Sequence, residues 1–499
     1  MDHADNHIRN MKTTSASTED LRELIREHAD SPGEFGQARD VNTTTSALPA
    51  ARRCHWLRRP PPTWFRLALA HEQASTPPAI RLQPAHSKVN SPFAAKRTHS
   101  ALAIPTALFY SLALTTALAA SPTGPPTPAA ANAAFAFKLL HQLAQDQPRA
   151  NILISPFGAS TVLQMACNGA GGQTKTEIQQ VLGAGNLQPA DLARANKQLT
   201  QSLNAPGTNV VLSIANAIWC RAGTRIKPDF LAANQQSFDA TIAALDFNDP
   251  RSVQTMNAWV AQKTHGKINA IADGMINPLT ELFLANAVYF KGKWLEPFDP
   301  KTTRERPFHL SGSAQKKLPM MEQSRKFTYR RGTGYQAVRL EYQGWSLAMY
   351  LFLPDPDSSP QKFLSIMTGD KWQRVARPGF AERQGMVVLP KFRARYSVEL
   401  NQPLMAMGMR AAFRKADFSG ISDNPLFISA VRQRAFVEVN EEGTEAAAVT
   451  GLAMEQSAPE PNPPKPFEMI LDRPFLFLIE DSNSAAILFM GVIFDPPAA

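Results

Sequence analysis

Of ten histidines, only His141, His265 and His309 fall after residue 100, and they lie far apart. The three cysteines, Cys54, Cys167 and Cys220, form no C-x-x-C pair and no zinc-type spacing, so no metal site is expected. There is no G-x-S-x-G elbow. A secreted hydrolase would find few bases here, and neither a catalytic residue nor a cofactor is expected. The segment that does suggest a task is Val439–Thr450, V-N-E-E-G-T-E-A-A-A-V-T. An apolar, alternating strand ends there in two acids and a glycine, and a run of small residues follows. An ordinary surface loop would be richer in Gly, Pro, Asn and Asp. Gly443 has no Cβ and can absorb a large backbone change. Thr444, Ala446, Ala448 and Thr450 would share one face of a strand by the period of two, all small enough to slip between existing strands. The chemistry suggested is mechanical: a loop able to become a buried strand. The same Ala and Glu content also suits a short surface helix, so the rest of the chain must decide.

The elements that would hold this segment follow from periodicity. Phe135, Leu139, Leu140 and Leu143 form one helical stripe; Met256, Trp259 and Val260 form another. Strand-like runs occur at 282–290, 347–353, 386–389, 435–439, 475–479 and 487–494. Helices dominate early and strands late, which predicts an α+β domain rather than alternating βαβ units. No internal repeat is present. The 499 residues are 44% hydrophobic and 19% charged, ordinary for a globular protein. The formal net charge is +10, but the basic clusters Arg52-Arg53, Arg58-Arg59 and Arg330-Arg331 are short. Without a basic stripe on a recognisable module, no nucleic-acid partner is expected.

The N-terminal region reads differently. Residues 1–95 are rich in Pro, Arg, Ser, Thr and Ala without sustained apolar periodicity, and are expected to be disordered or not translated. Lys96-Arg97, the apolar body 101–120 and the small-residue exit Ala117-Leu118-Ala119-Ala120 make a secretory signal peptide over 96–120. A membrane anchor is the rival, weakened by Pro105, Ser111, Thr115 and Thr116. A leader so far from residue 1 suggests that translation starts near Val89, which would remove residues 1–88. Residues 121–128 form a Pro-rich tail, and 129–497 a single folded domain.

Several motifs then run in a fixed order. They are Asn151-Ile-Leu-Ile-Ser155-Pro156, Thr264-His265-Gly266-Lys267-Ile268, Asn286-Ala287-Val288-Tyr289-Phe290-Lys291-Gly292-Lys293-Trp294, Leu389-Pro390-Lys391-Phe392, Glu441-Glu442-Gly443-Thr444-Glu445-Ala446-Ala447-Ala448-Val449-Thr450, Asp472-Arg473-Pro474-Phe475 and Leu488-Phe489-Met490-Gly491. Together they resemble the serpins, the serine protease inhibitor superfamily, over about Ala130 to Pro496. The resemblance implies the serpin fold, with helices packed on a large central, mostly antiparallel sheet, two further sheets and an exposed reactive loop.

It also implies a suicide-substrate inhibitor rather than an enzyme. Glu441 to Thr450 would be the hinge of the reactive loop. Ser155, Asn286 and Gln433 would belong to the shutter, where strands part, and Trp294 to the breach, where insertion begins. Two departures stand out: Gly158 replaces a common shutter serine, and Gln433 replaces the shutter histidine, although glutamine can still donate and accept. Counted from Glu441 with the family's spacing, the attacked bond is Ser457–Ala458, with Met454 and Gln456 also conceivable as the residue whose carbonyl is attacked. Counted back from Pro474-Phe475, it falls at Pro463-Pro464; Pro459, Pro461, Pro463, Pro464 and Pro466 stiffen that side. No Arg or Lys lies between Gly443 and Lys465, which disfavours a trypsin-like target. An elastase-like or subtilisin-like serine protease is expected as partner of a monomer that is secreted, or periplasmic in a bacterium, with no stable membrane association after leader removal. The alternative within the family is a non-inhibitory chaperone or carrier.

Overall fold

A computed structural model describes residues 127–498, apart from 186, 204–209, 311–312, 345 and 445–464. The first helix, α1 (Pro128–Asp146), starts where Thr127 Oγ1 accepts the Ala130 N–H and Pro128 occupies the first turn. Its stripe Phe135, Leu139, Leu140 and Leu143 is buried. After β1 (Ile152–Ile154), Ser155 caps α2 (Pro156–Cys167) through the Gly158 N–H. All of α2 is buried, as its almost uniformly small and apolar residues require. Then come α3 (Gly172–Val181), α4 (Pro189–Leu203), β2 (Val210–Arg221), α5 (Pro228–Phe238), β3 (Thr241–Leu245) and α6 (Pro250–Lys263). The turn after α6 places His265 and Gly266 at φ 52° and 73°, which suits a glycine at the second position.

The rest is mainly strand: β4 (Leu282–Lys293), β5 (Arg304–His309), β6 (Gln315–Gly332), β7 (Tyr335–Glu341), β8 (Leu347–Pro354), β9 (Ala381–Pro390), β10 (Phe392–Glu399), β11 (Ile428–Val439), β12 (Gly443–Thr444), β13 (Phe467–Ile470), β14 (Phe475–Asp481) and β15 (Ile487–Ile493). They form two hydrogen-bonded sheets. One runs β10-β11-β4-β2-β3, with β12 added on β4. The other runs β1-β15-β14-β8-β7-β6-β9-β13, with β5 on β6. The two smaller sheets expected beside the central one are thus joined. The joint is β6, whose 18 residues pair with β5 at one end, β9 in the middle and β7 at the other end. Charged residues interrupt the apolar pattern of β6, so periodicity did not reveal it.

β4 lies at the centre of the first sheet. Its Leu282 and Leu284 pack in the core that contains α1 and α2, and Val288 and Phe290 in the core shared with the second sheet. Phe283, Ala285, Ala287 and Tyr289 face the opposite way, into a third cluster with Met256 and Val260 of α6. Both faces are covered, which is why β4 reads as a continuous apolar run rather than an alternating one.

Candidate functional site

The neighbours of β4 define a seam. β2 lies antiparallel on one side, from Cys220 opposite Leu282 to Val210 opposite Gly292. On the other side β11 runs parallel to it, from Ile428 opposite Leu282 to Phe436 opposite Tyr289. The cross-seam pairing stops there, although β4 continues to Lys293 and β11 to Val439. In the space above, Gly443 and Thr444 pair antiparallel with Lys293 and Gly292. The start of the predicted hinge therefore already lies against β4, at the open end of the seam.

Several contacts fix this end. Trp294 donates its backbone N–H to the Glu442 carbonyl (2.9 Å) and its indole N–H to the Asn440 carbonyl (3.0 Å). Its ring stacks on Tyr342, with centroids 4.5 Å apart. The Phe298 N–H reaches the Glu441 carbonyl (2.8 Å). The Glu441 carboxylate takes an ion pair from Lys391 (3.0 Å) and a hydrogen bond from the Thr303 hydroxyl (2.9 Å). Burial alone would raise this carboxyl. Hydrogen bonds from Lys391, its own backbone N–H and Thr303, with the Lys391 charge, outweigh burial and hold it below the ordinary glutamate range. Gly443 has φ 144°. A Cβ there would stand 2.6 Å from Lys293 Cα and 2.8 Å from Trp294 N, both backbone atoms, so the close approach itself requires glycine.

Halfway down the seam is a buried polar chain. Gln433 on β11 lies opposite Asn286 on β4, and Asn286 lies opposite Asn216 on β2. Gln433 Nε2 donates to Asn286 Oδ1 (2.7 Å) and to the Ser155 carbonyl (2.8 Å), while its Oε1 accepts the Ser155 N–H (2.9 Å). Asn286 Nδ2 donates to Asn216 Oδ1 (2.8 Å). Ser155 Oγ donates to the Leu488 carbonyl (2.7 Å) as well as capping α2. Three strands and a helix N-terminus are thereby tied through hydrogen-bonded amides, as burial demands.

The chain also explains the glycine at 158. A Cβ there would stand 2.6 Å from Asn286 Nδ2 and 2.7 Å from its Cγ. The asparagine amide fills the space that a serine side chain would need. Gln433 takes the position expected for a histidine and uses both ends of its amide, donating and accepting as its chemistry allows.

The structure thus gathers Ser155, Asn286 and Gln433 at the middle of the seam and Trp294, Glu441, Glu442, Gly443 and the Thr444 backbone at its open end. Glu445, Ala446, Ala447, Ala448, Val449, Thr450, Ser457 and Ala458 lie outside the described residues. Sequence reasoning missed Lys391, Thr303 and Asn216. Asn216 carried a usable signal: Ala215-Asn216-Ala217 sits in an apolar run just as Ala285-Asn286-Ala287 does. Lys391 and Thr303 carried none, since only the fold brings them to Glu441. Cys167 and Cys220 are free, buried thiols; burial pushes them up to about 11 and about 12. No group of three His, Cys, Asp or Glu side chains able to hold a metal occurs among the described residues.

The chain was compared with known proteins. The family model "Serpin (serine protease inhibitor)" matches residues 130–496. Leukocyte elastase inhibitor of Bos taurus is 36% identical over 381 residues, covering 74% of this chain and 99% of that protein. Plasminogen activator inhibitor 1 of Sus scrofa is 32% identical over 372 residues, covering 72% and 91%. Among solved structures, the thermophilic serpin tengpin in its native state matches with TM-score 0.67 and 28% identity, covering 74% of this chain and 94% of that one. Human thyroxine-binding globulin, complexed with thyroxine, matches with TM-score 0.66 and 26% identity, covering 74% and 98%. With the family model spanning most of the chain and relatives more than 30% identical over nearly their whole length, the chain belongs to the serpin superfamily.

Proposed function

We propose that this protein inhibits a serine protease as a suicide substrate, by cleavage of the loop that follows Thr444 and insertion of that loop between β4 and β11. The observation that carries the reading is the antiparallel pairing of Gly443 and Thr444 with Lys293 and Gly292 at the open end of the seam. An inserted strand continuing that register would set Ala446, Ala448 and Thr450 opposite Phe290, Val288 and Asn286, and Met454 opposite Leu282, where β4 begins. Ser457 would then stand just beyond the sheet. Small side chains would pass the upper seam first.

In the proposed reaction the protease serine attacks the Ser457 carbonyl, the bond to Ala458 breaks, and an acyl-enzyme ester remains on Ser457. Insertion as an added strand then carries the protease away before water can hydrolyse the ester. Roughly a dozen new backbone hydrogen bonds at about 1 kcal/mol net each favour the inserted form. Glu441, Glu442, Gly443 and Trp294 form the pivot, while Ser155, Asn286 and Gln433 form the part of the seam that must open.

An elastase-like or subtilisin-like target fits the small, uncharged residues around Ser457 and the absence of Arg or Lys between Gly443 and Lys465. The relative named as a leukocyte elastase inhibitor supports the elastase-like choice. The leader-like sequence expected at 96–120 is what supports export, and N-terminal sequencing of secreted protein should begin near Ser121. A carrier role is the second reading, supported by the match to thyroxine-binding globulin. The run of small residues after Gly443 favours inhibition.

Incubation with a panel of serine proteases tests the proposal. A covalent complex stable to SDS is expected with an elastase-like or subtilisin-like enzyme, with a released peptide starting at Ala458. Absence of any such complex, together with unchanged thermal stability after clean loop cleavage, would overturn it.

A further inference from the structure

We propose that Tyr289 and Phe436 form a latch across the outer face of the seam, and that this latch sets the rate at which the seam opens. The inference deepens the insertion reading above and rests on it. Tyr289 and Phe436 are opposite one another at the last cross-seam pair of β4 and β11. Their rings contact with centroids 6.0 Å apart and are 3% and 2% exposed. Cations close the pair on both sides: Lys267 Nζ lies 5.9 Å from the Tyr289 ring, and Arg395 Cζ 5.2 Å from the Phe436 ring. Such aromatic and cation–π contacts stabilise the paired state beyond the area they bury.

The position makes the contact a gate. Gly443 and Thr444 occupy the seam above it, and a strand extending in their register meets Tyr289 before any other cross-seam contact on that face. The two outer-face pairs directly below it are not apolar on both sides. Ala287 lies opposite Arg434 and Ala285 opposite Arg432. Both Nε atoms of these arginines are buried without a hydrogen-bond partner among the described residues, and burial and the Arg434 charge each depress the Arg432 guanidinium. On the inner face the next fastening is the Gln433–Asn286 hydrogen bond, three residues further down. The aromatic pair is therefore the first fastening that an advancing strand has to part.

A synthetic peptide with the sequence of residues 443–454, added to the full chain, reads seam opening without any protease. Native electrophoresis and the gain in thermal stability follow its uptake. Phe436→Leu and Tyr289→Leu should each speed uptake roughly tenfold, the factor given by about 1.4 kcal/mol off a barrier. The double variant should be little faster than either single, because one contact is removed once. Arg395→Ala, at an exposed position, should give a smaller increase and serves if the core variants do not fold. Phe283→Leu controls for general destabilisation: Phe283 is on the same face of β4, at the far end of the seam opposite Ala430, and its ring stacks at 5.8 Å on Trp219 of β2, so uptake should stay at the wild-type rate. Wild-type rates in the Phe436, Tyr289 and Arg395 variants would overturn the latch while leaving insertion standing. A rate increase as large in Phe283→Leu would also overturn it. Failure of the wild-type chain to take up the peptide at any temperature below unfolding would overturn the insertion reading itself, and the latch with it.

Discussion

Replacing Gly158 with serine should weaken this chain, although serine is common at the matching position of its family. The new Cβ would stand 2.6 Å from Asn286 Nδ2, so the amide has to move. Moving it gives up two hydrogen bonds, to Asn216 at 2.8 Å and from Gln433 at 2.7 Å, in a buried site. Each buried polar group left unpaired costs about 1–3 kcal/mol. Serine returns a few tenths of a kcal/mol over glycine in helix propensity. For two such groups the balance is a loss of about 2–5 kcal/mol. The assay is the midpoint of the first unfolding transition in denaturant, measured for Gly158→Ser, Asn286→Ala and the double variant. Asn286→Ala opens the space that the serine needs, and its hydroxyl can then meet Gln433. The double variant should be more stable than the two single losses added together, by about 1 kcal/mol or more. A wild-type midpoint for Gly158→Ser, or strict additivity in the cycle, would refute the account of the glycine as space left for Asn286.

Gly443→Ala should disturb the hinge, because its Cβ meets the backbone of Lys293 and Trp294; loss of the Trp294 fluorescence signature and of inhibition would show it, and a fully active variant would count against the close approach. Glu441 has a depressed carboxyl, so its tie to Lys391 is present above the unfolded glutamate value of about 4.3 and is lost as pH falls through the lower folded value. Glu441→Gln should therefore melt below wild type at neutral pH, with the gap closing only in acid; a gap that widens in acid would contradict the sign. Cys167 and Cys220 should resist alkylation in the native protein at neutral pH, since burial lifts both thiols far above it; peptide mapping that finds either one labelled before unfolding would contradict their placement. Thr444→Arg should turn the proposed inhibitor into a substrate, because a guanidinium would have to be desolvated during insertion; the molar ratio needed for full inhibition measures it, and an unchanged ratio would argue against insertion.

Much of this protein was legible in its sequence. The helical stripe Phe135, Leu139, Leu140 and Leu143 announced a helix, and the structure buries that stripe in α1. The apolar run from Leu282 announced a strand, and the glycine after two acids announced a point of backbone freedom. These are local statements, and local propensity and burial pattern suffice for them. Asn286 was legible only as a member of a motif, and its partners were not legible at all. Asn216 and Gln433 lie far away in sequence and meet it only through strand register. The same holds for Lys391 with Glu441, for Phe436 with Tyr289, and for the amide that leaves no room for a side chain at Gly158. Periodicity reports which face of a strand is buried; it does not report which strand lies beside it or where the pairing stops. The seam between β4 and β11 is made of those two facts, so only the tertiary structure could reveal it.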